Sequence, residues 1–168
     1  MLSTPITRYL QQRNIPFQLL MQGKEAASIQ EAAHLRGIKT EIMVKAIVLR
    51  DMGGQYALAC CPGNESIDPK KVRHTLATRR MTCASSEDVE SITGATIGTV
   101  TPLMLRTSMP ILFDTRLKQH RMVTISSGDK SAGLLLSLND LAQCCLPLWG
   151  DICRQHKPTN FTTASYLT

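Results

Sequence analysis

The chain has 168 residues, enough for one ordinary domain, and its 43% apolar and 19% charged content excludes wholesale disorder. Nineteen lysines and arginines against 13 acids give a formal +6, a moderate basic excess that permits an anionic partner without proving one. Aromatics are scarce at 4%, which leaves few platforms for stacked bases, and no apolar run approaches the roughly 20 residues that span a bilayer. The polar start Met1-Leu-Ser-Thr-Pro5 lacks a signal-peptide stretch, so the expected location is cytoplasmic.

In chain order, Pro5 to Asn14 predicts a helix with Thr4 as N-cap, Pro5 at the first helical position, and Ile6, Leu10 and Tyr9 on one face. Phe17 to Met21 reads as a short strand. Ser28-Ile-Gln-Glu31 is a capping-box pattern opening a helix through Ala32, Ala33 and Leu35, which Gly37 closes. Val44 to Arg50 and Gln55 to Cys61 are apolar runs joined across Gly53-Gly54, a hairpin signal. Asp68-Pro69 caps a helix predicted over Lys70 to Arg80, followed by a strand near Met81 to Ala84. Ser86 to Glu90 starts a short helix ending before Gly94, and Gly98 to Leu103 is a loop or strand punctuated by glycine and proline. Ile111–Phe113, Met122–Ile125 and Leu134–Leu136 read as strands, the last two joined by the turn Ser126-Ser-Gly-Asp129, and Leu138 opens a final helix. The threonine-rich stretch from Lys157 reads as a polar tail, residues 157–168, behind a domain of residues 1–156. Hairpins without strict β-α-β alternation predict a single compact α+β domain with a mixed, mostly antiparallel sheet and flanking helices.

Cysteine arithmetic is uninformative about metal. Cys60-Cys61 and Cys144-Cys145 are vicinal pairs in apolar surroundings, Cys83 and Cys153 stand alone, and no histidine lies at zinc-ligand spacing. The reading is reduced, core-filling thiols, with no metal and no cofactor.

Three features stand out chemically. Lys45 interrupts Ile42-Met-Val-Lys-Ala-Ile-Val-Leu49, where an amine must either snorkel from a solvent-facing strand position or reach a cleft. Gly94-Ala-Thr-Ile-Gly98-Thr-Val-Thr-Pro102 suggests close backbone approach to a ligand or to another strand. Ile125-Ser-Ser-Gly-Asp-Lys130 is either a plain β-turn or a turn whose amides cradle an oxygen.

In this order, with Asp68-Pro-Lys-Lys-Val72 between them, these features resemble the YbaK/prolyl-tRNA synthetase editing-domain family of trans-acting aminoacyl-tRNA deacylases. The resemblance runs from Thr4-Pro5 to about Arg154. It implies a compact α+β domain around a barrel-like sheet. The reaction it implies is hydrolysis of the ester joining a wrong, small amino acid to transfer RNA, commonly proline-type tRNA. The residues it marks as catalytic are Lys45, Gly98, Pro102, Ser127, Gly128 and Asp129, with Ala46 and Thr101 at the amino-acid pocket. An aminoacyl ester is already activated, so placed water and a stabilised oxyanion suffice, and no Ser-His-Asp arrangement is required. Lys45 would supply charge at the ester or the terminal adenosine phosphate. Amides near Gly98 and Gly128 would orient the carbonyl or amino group, each oxyanion donor being worth roughly 3 kcal/mol. Ser127 and Asp129 are alternative positioners of water. A hydroxyl or thiol of the substrate would help to activate it.

Two departures touch specificity. Ala46 stands where some relatives carry a polar side chain, and the turn reads Gly128-Asp-Lys130, so alanine, cysteine, serine and threonine all stay open as the amino acid removed. Lys70, Lys71, Arg73, Arg79 and Arg80, with no acid among them, are the expected tRNA-phosphate surface; Arg106, Arg116, Lys118 and Arg121 form a second basic group. The partners implied are aminoacyl-tRNA and an aminoacyl-tRNA synthetase, with a monomer or weak dimer and no membrane. The competing reading is a catalytically silent tRNA- or synthetase-binding module of the same fold.

Overall fold

The computed structural model describes residues 2–156, so the polar tail expected over 157–168 lies outside the described residues. Helix α1 (Pro5–Gln12) starts where the sequence places it: the Thr4 hydroxyl accepts from the Thr7 amide at 3.2 Å, and the Thr7 hydroxyl accepts from the Thr4 amide at 2.8 Å. Ile6 and Leu10 bury its apolar face. After β1 (Gln18–Met21), helix α2 (Ile29–Arg36) is capped by Ser28, and Gly37 ends it at φ 68°. A 3-10 turn over Thr40–Ile42 leads into β2 (Val44–Asp51) and β3 (Tyr56–Pro62), an antiparallel hairpin in which Lys45 stands opposite Cys61. The Asp51 carboxylate fastens the hairpin turn, accepting from the Gly53 and Gln55 amides at 2.8 Å each.

Helix α3 (Pro69–Leu76) is shorter than predicted. Ala77 takes a left-handed conformation at φ 52° and stops it, so Arg79 and Arg80 lie in the turn before β4 (Met81–Cys83) and not on the helix. Helix α4 (Ser86–Thr93) ends before Gly94 as expected. Gly98 to Leu103 is loop and not strand. The chain then runs through β5 (Ile111–Asp114), a 3-10 segment (Thr115–Gln119), β6 (Met122–Ser126), β7 (Ala132–Ser137) and α5 (Leu138–Cys145). A last strand, β8 (Leu148–Gly150), was not legible in the sequence.

The fold class is α+β, with strands in two sheets. One is antiparallel, ordered β1-β7-β6; the other is mixed, ordered β4-β2-β3-β5-β8, with β3-β5 and β5-β8 parallel. Met43 and Thr124 form a single parallel bridge between them, so the barrel-like arrangement is not closed. The larger core lies between the sheets and is built on Leu10, Leu58, Phe113, Leu117, Leu134 and Leu141. A second core fills the opposite face of the mixed sheet, where Val72 and Leu76 of α3 cover Leu49, Ala59, Cys61 and Leu112. Alternation along β2 sends Lys45 and Ile47 toward the α3 side and Ala46 toward the larger core.

Asp114 is fully buried at the end of β5, where its carboxylate accepts from the Arg116 amide at 2.8 Å and the Ile152 amide at 2.9 Å and pairs with the Arg116 guanidinium at 3.3 Å. Replacing it leaves two amides without their acceptor and the Arg116 guanidinium with its more exposed partner Asp151 at 3.3 Å. Asp114→Ala is expected to lower unfolding free energy by about 3 kcal/mol, measured by urea denaturation; a loss below ~1 kcal/mol would contradict the role given to this carboxylate.

Candidate active site

The first-turn residues of α2, the start of β2, the loop at 97–100 and the turn after β6 surround one cavity of about 490 Å³. Of the residues marked in the sequence, Lys45, Ala46, Gly98 and Asp129 line it. Lys45 neither snorkels freely nor pairs with an acid. Its Nζ donates to the main-chain carbonyl of Glu65 in the loop after β3, and the Cys61 thiol donates to the same oxygen at 3.8 Å. An ammonium has three donors, so two are left for a ligand once Glu65 has taken one. Gly98 sits at φ +92°, a conformation that suits glycine, and nothing lies within 4 Å of where a side chain would begin. Its amide has no acceptor among the described residues.

The turn after β6 is used differently. Ser127 is fully buried, and its hydroxyl donates to the Ala132 carbonyl at 2.6 Å while accepting from the Asp129 amide at 3.2 Å. The Gly128 amide donates to the Ser126 hydroxyl at 3.1 Å. The turn amides are therefore bonded within the turn, and Ser127 braces it from behind. The Thr4 hydroxyl, capping α1, donates to the Ser127 carbonyl at 2.6 Å and ties the first helix to this turn. Gly128 is exposed at φ +88° beside Ile6 and is not part of the cavity wall. Asp129 remains as the turn's chemical group. Its Oδ1 accepts from the Ser131 hydroxyl at 2.5 Å and the Ser131 amide at 2.8 Å, and these bonds hold its carboxyl below the ordinary value of 3.8.

Thr101 and Pro102 lie behind the glycine loop, both buried and neither on the cavity wall; the Pro102 carbonyl accepts from the Cys145 thiol at 3.5 Å. Their neighbour Val100 lines the cavity in their place. Gln22, Arg36, Thr124 and Ile29, which the sequence did not single out, complete the wall together with Ile97, Ile125 and Ser126 of the two motifs. For α2 the available signal was its capping box, which gave the helix but not what it faces. Arg36 reads in sequence as an ordinary cation in a last helical turn.

Cys60, Cys61 and Cys153 are buried packing groups, Cys144 and Cys145 are partly buried, and Cys83 is exposed. Burial pushes the Cys60 thiol well above its usual range and the Cys145 thiol up to about 12, and bonding to Cys61 together with burial raises Cys153, so these three stay protonated at neutral pH. Among the described residues no group of three histidine, cysteine or acidic side chains is placed to hold a metal ion. Among the described residues, too, no helix is long and apolar enough to cross a membrane.

Of the first basic group, Lys70, Arg73, Arg79 and Arg80 are exposed, whereas Lys71 pairs with Asp151 at 3.2 Å. Arg116 of the second group turns inward to Asp114 and Asp151, each at 3.3 Å, and the Lys118 amine lies 4.6 Å from the centre of the Trp149 ring. Lys70, Arg73, Arg79 and Arg80 thus form no ion pair among the described residues and lie on α3 or in the turn that follows it.

This architecture of two bridged sheets with flanking helices is that of an aminoacyl-tRNA editing domain. The model of that family matches residues 23–144, and the chain belongs to it. Among its relatives, Uncharacterized protein YwhH of Bacillus subtilis is 27% identical over 77% of this chain and 82% of its own. Prolyl-tRNA editing protein ProX of Acetoanaerobium sticklandii is 24% identical over 73% of this chain and 77% of its own. The crystal structure of hypothetical protein APE2540 superimposes with a TM-score of 0.81 at 21% identity, covering 89% of this chain and 99% of that one.

Because its folded-state pKa is depressed, the Asp129 carboxylate contributes stability to the turn that is fully present above the ordinary carboxylate range and is lost as pH falls through the depressed value. Titration by carbon-detected NMR is expected to give Asp129 a midpoint below 3.8, and Ser131→Ala to move it upward; a midpoint at or above 3.8 in the native protein would contradict the hydrogen-bonded geometry.

Proposed function

We propose that this chain is a trans-editing aminoacyl-tRNA deacylase that hydrolyses the ester between a small amino acid and the 3′ end of a mischarged tRNA. The observation that carries the reading is the Lys45 amine, tethered to the Glu65 carbonyl on the wall of a cavity that is also lined by Gly98, whose amide has no acceptor among the described residues. The ester needs little activation, so the site has to exclude bulk water, hold one water against the carbonyl carbon, and stabilise the charge that forms on the oxygen. In this reading the Gly98 amide and the two remaining Lys45 donors face the developing oxyanion, and the ionised Asp129 accepts from the substrate's α-ammonium group. Ser127 and Gly128 hold the turn that presents Asp129, and Thr101 and Pro102 hold the bend that presents Gly98. Both pairs are positioning residues.

Ala46, on the cavity wall, fits a pocket for a small aliphatic side chain. Proline-type tRNA as the carrier is supported by the name of the relative ProX. Lys70, Arg73, Arg79 and Arg80 contact tRNA phosphates in this reading and add affinity without reading bases.

The test is a panel of tRNAs charged with different labelled amino acids, including proline tRNA carrying alanine, cysteine, serine or threonine. Release of at least one small amino acid is expected, with Lys45→Ala lowering kcat/KM by about 100-fold or more, or roughly 3 kcal/mol. No release from any tRNA, or equal activity in the variant, would contradict the reading. Salt-sensitive tRNA binding without turnover would favour the silent binding module.

Neutralising Arg73, Arg79 and Arg80 together by glutamine is expected to weaken binding of full-length tRNA and to reduce the slope of log affinity against log salt by about 3, from roughly one counterion per phosphate contact. An unchanged slope would move the tRNA surface elsewhere.

A further inference from the structure

Arg36, at the last turn of α2, is half-buried at the cavity wall. Burial lowers its affinity for its proton, and no neighbouring charge among the described residues offsets this. Its seat is specific. The Gln22 side-chain oxygen accepts from Nε at 3.0 Å, and Gln22, itself buried, donates its amide to the Lys24 carbonyl at 2.7 Å and the Lys130 carbonyl at 3.2 Å. The guanidinium lies flat on Gly133 of β7, where a Cβ would fall 2.5 Å from Nη1 and 2.9 Å from Cζ. Gln22 occupies Nε and leaves the two Nη groups as donors.

A second observation stands on the same sheet face. Gly133 pairs with Ser126 of β6, and Thr124 lies two residues along that strand, roughly 7 Å away, with its side chain on the same side. Thr124 is 1% exposed and lines the cavity, yet its hydroxyl has no hydrogen-bond partner among the described residues. A buried hydroxyl without a partner is costly, and a desolvated guanidinium without a counter-ion more so. Neither carboxylate of the cavity pairs with Arg36: Glu25 meets the Lys130 amine at 3.8 Å, and Asp129 accepts from Ser131.

We infer that Arg36 and Thr124 form an anion subsite that takes the phosphate on the 5′ side of the terminal nucleoside of the tRNA, while Lys45 and Gly98 attend to the ester. This rests on the deacylase reading for the identity of the ligand, though not for the presence of the subsite. Guanidinium donors suit a phosphate because they form paired, charge-assisted hydrogen bonds, and the hydroxyl can donate a third. Every tRNA carries this phosphate, so the subsite would set the depth at which the aminoacyl end enters, whatever the amino acid.

The experiment uses 3′-aminoacylamino-3′-deoxyadenosine, an amide that resists hydrolysis, with and without a 5′-phosphate, titrated by calorimetry at low salt. The phosphate is expected to tighten binding at least about tenfold in the native protein. That gain should vanish in Arg36→Gln and in Gly133→Ala, which displaces the guanidinium without removing its charge, with the phosphate-free affinity retained. Thr124→Val should lose part of the gain and, having no hydrogen bond to give up, should unfold no earlier than the native protein. A gain that persists in Arg36→Gln, or no gain in the native protein, would overturn the proposal. So would an Arg36-dependent preference for an aspartyl over an asparaginyl analogue, which would make the anion an amino-acid carboxylate. Arg36-dependent binding of adenosine 5′-monophosphate by a protein that deacylates no tRNA would uphold the subsite and overturn the deacylase reading alone.

Discussion

A lysine in an apolar strand has to place its charge somewhere, and here the β2–β3 hairpin decides where. Register sets Lys45 opposite Cys61 on the face covered by α3, and the loop that follows β3 returns the Glu65 carbonyl to meet the amine. A main-chain carbonyl can orient an ammonium without neutralising it, as a carboxylate would. The charge is therefore held in place and still available, and the walls around it are built from separate parts of the chain: α2, the glycine loop and the turn after β6. The bridge between Met43 and Thr124 brings those parts together by joining the two sheets one residue before β2 begins.

The turn after β6 shows how much of the fold serves this arrangement. Its Ser127 and Gly128 are spent on its own shape, with the α1 cap as an outside support, while Asp129 lines the cavity beside Ser126 and Lys130. The division between groups that face the ligand and groups that hold them is as sharp in the glycine loop. Gly98 leaves open space and a free amide, while Thr101 and Pro102 are packed away behind it.

Local signals carried the sequence reading well where the chemistry was local. The Thr4-Pro5 and Ser28–Glu31 starts, the Gly37 and Gly94 stops and the hairpin turn at Gly53-Gly54 are each determined by residues within one turn of the chain. The overrun of α3 to Arg80 has the opposite cause: Ala77 adopts the left-handed stop without glycine to announce it. β8 is three residues long and pairs in parallel with β5, so neither alternation nor a turn betrays it. At the site, Lys45 was visible because it interrupts an apolar strand, whereas Gly98 and Asp129 sit in turn-like segments and, like Ala46, took their roles from the family resemblance. Arg36, Gln22 and Thr124 break none; Arg36 is unusual because it reaches from α2 to Gln22 and Gly133, and Thr124 because its hydroxyl is buried, and both are tertiary facts.

The central claim is that one cavity, between Lys45 and Gly98, receives the aminoacyl ester. A crystal structure of the protein with a hydrolysis-resistant 3′-aminoacylamino adenosine tests it most directly. The account predicts the carbonyl oxygen of the analogue within hydrogen-bond distance of the Lys45 amine or the Gly98 amide, with its α-ammonium toward Asp129. An analogue bound outside this cavity, or inside it with the carbonyl turned away from both donors, would contradict the account.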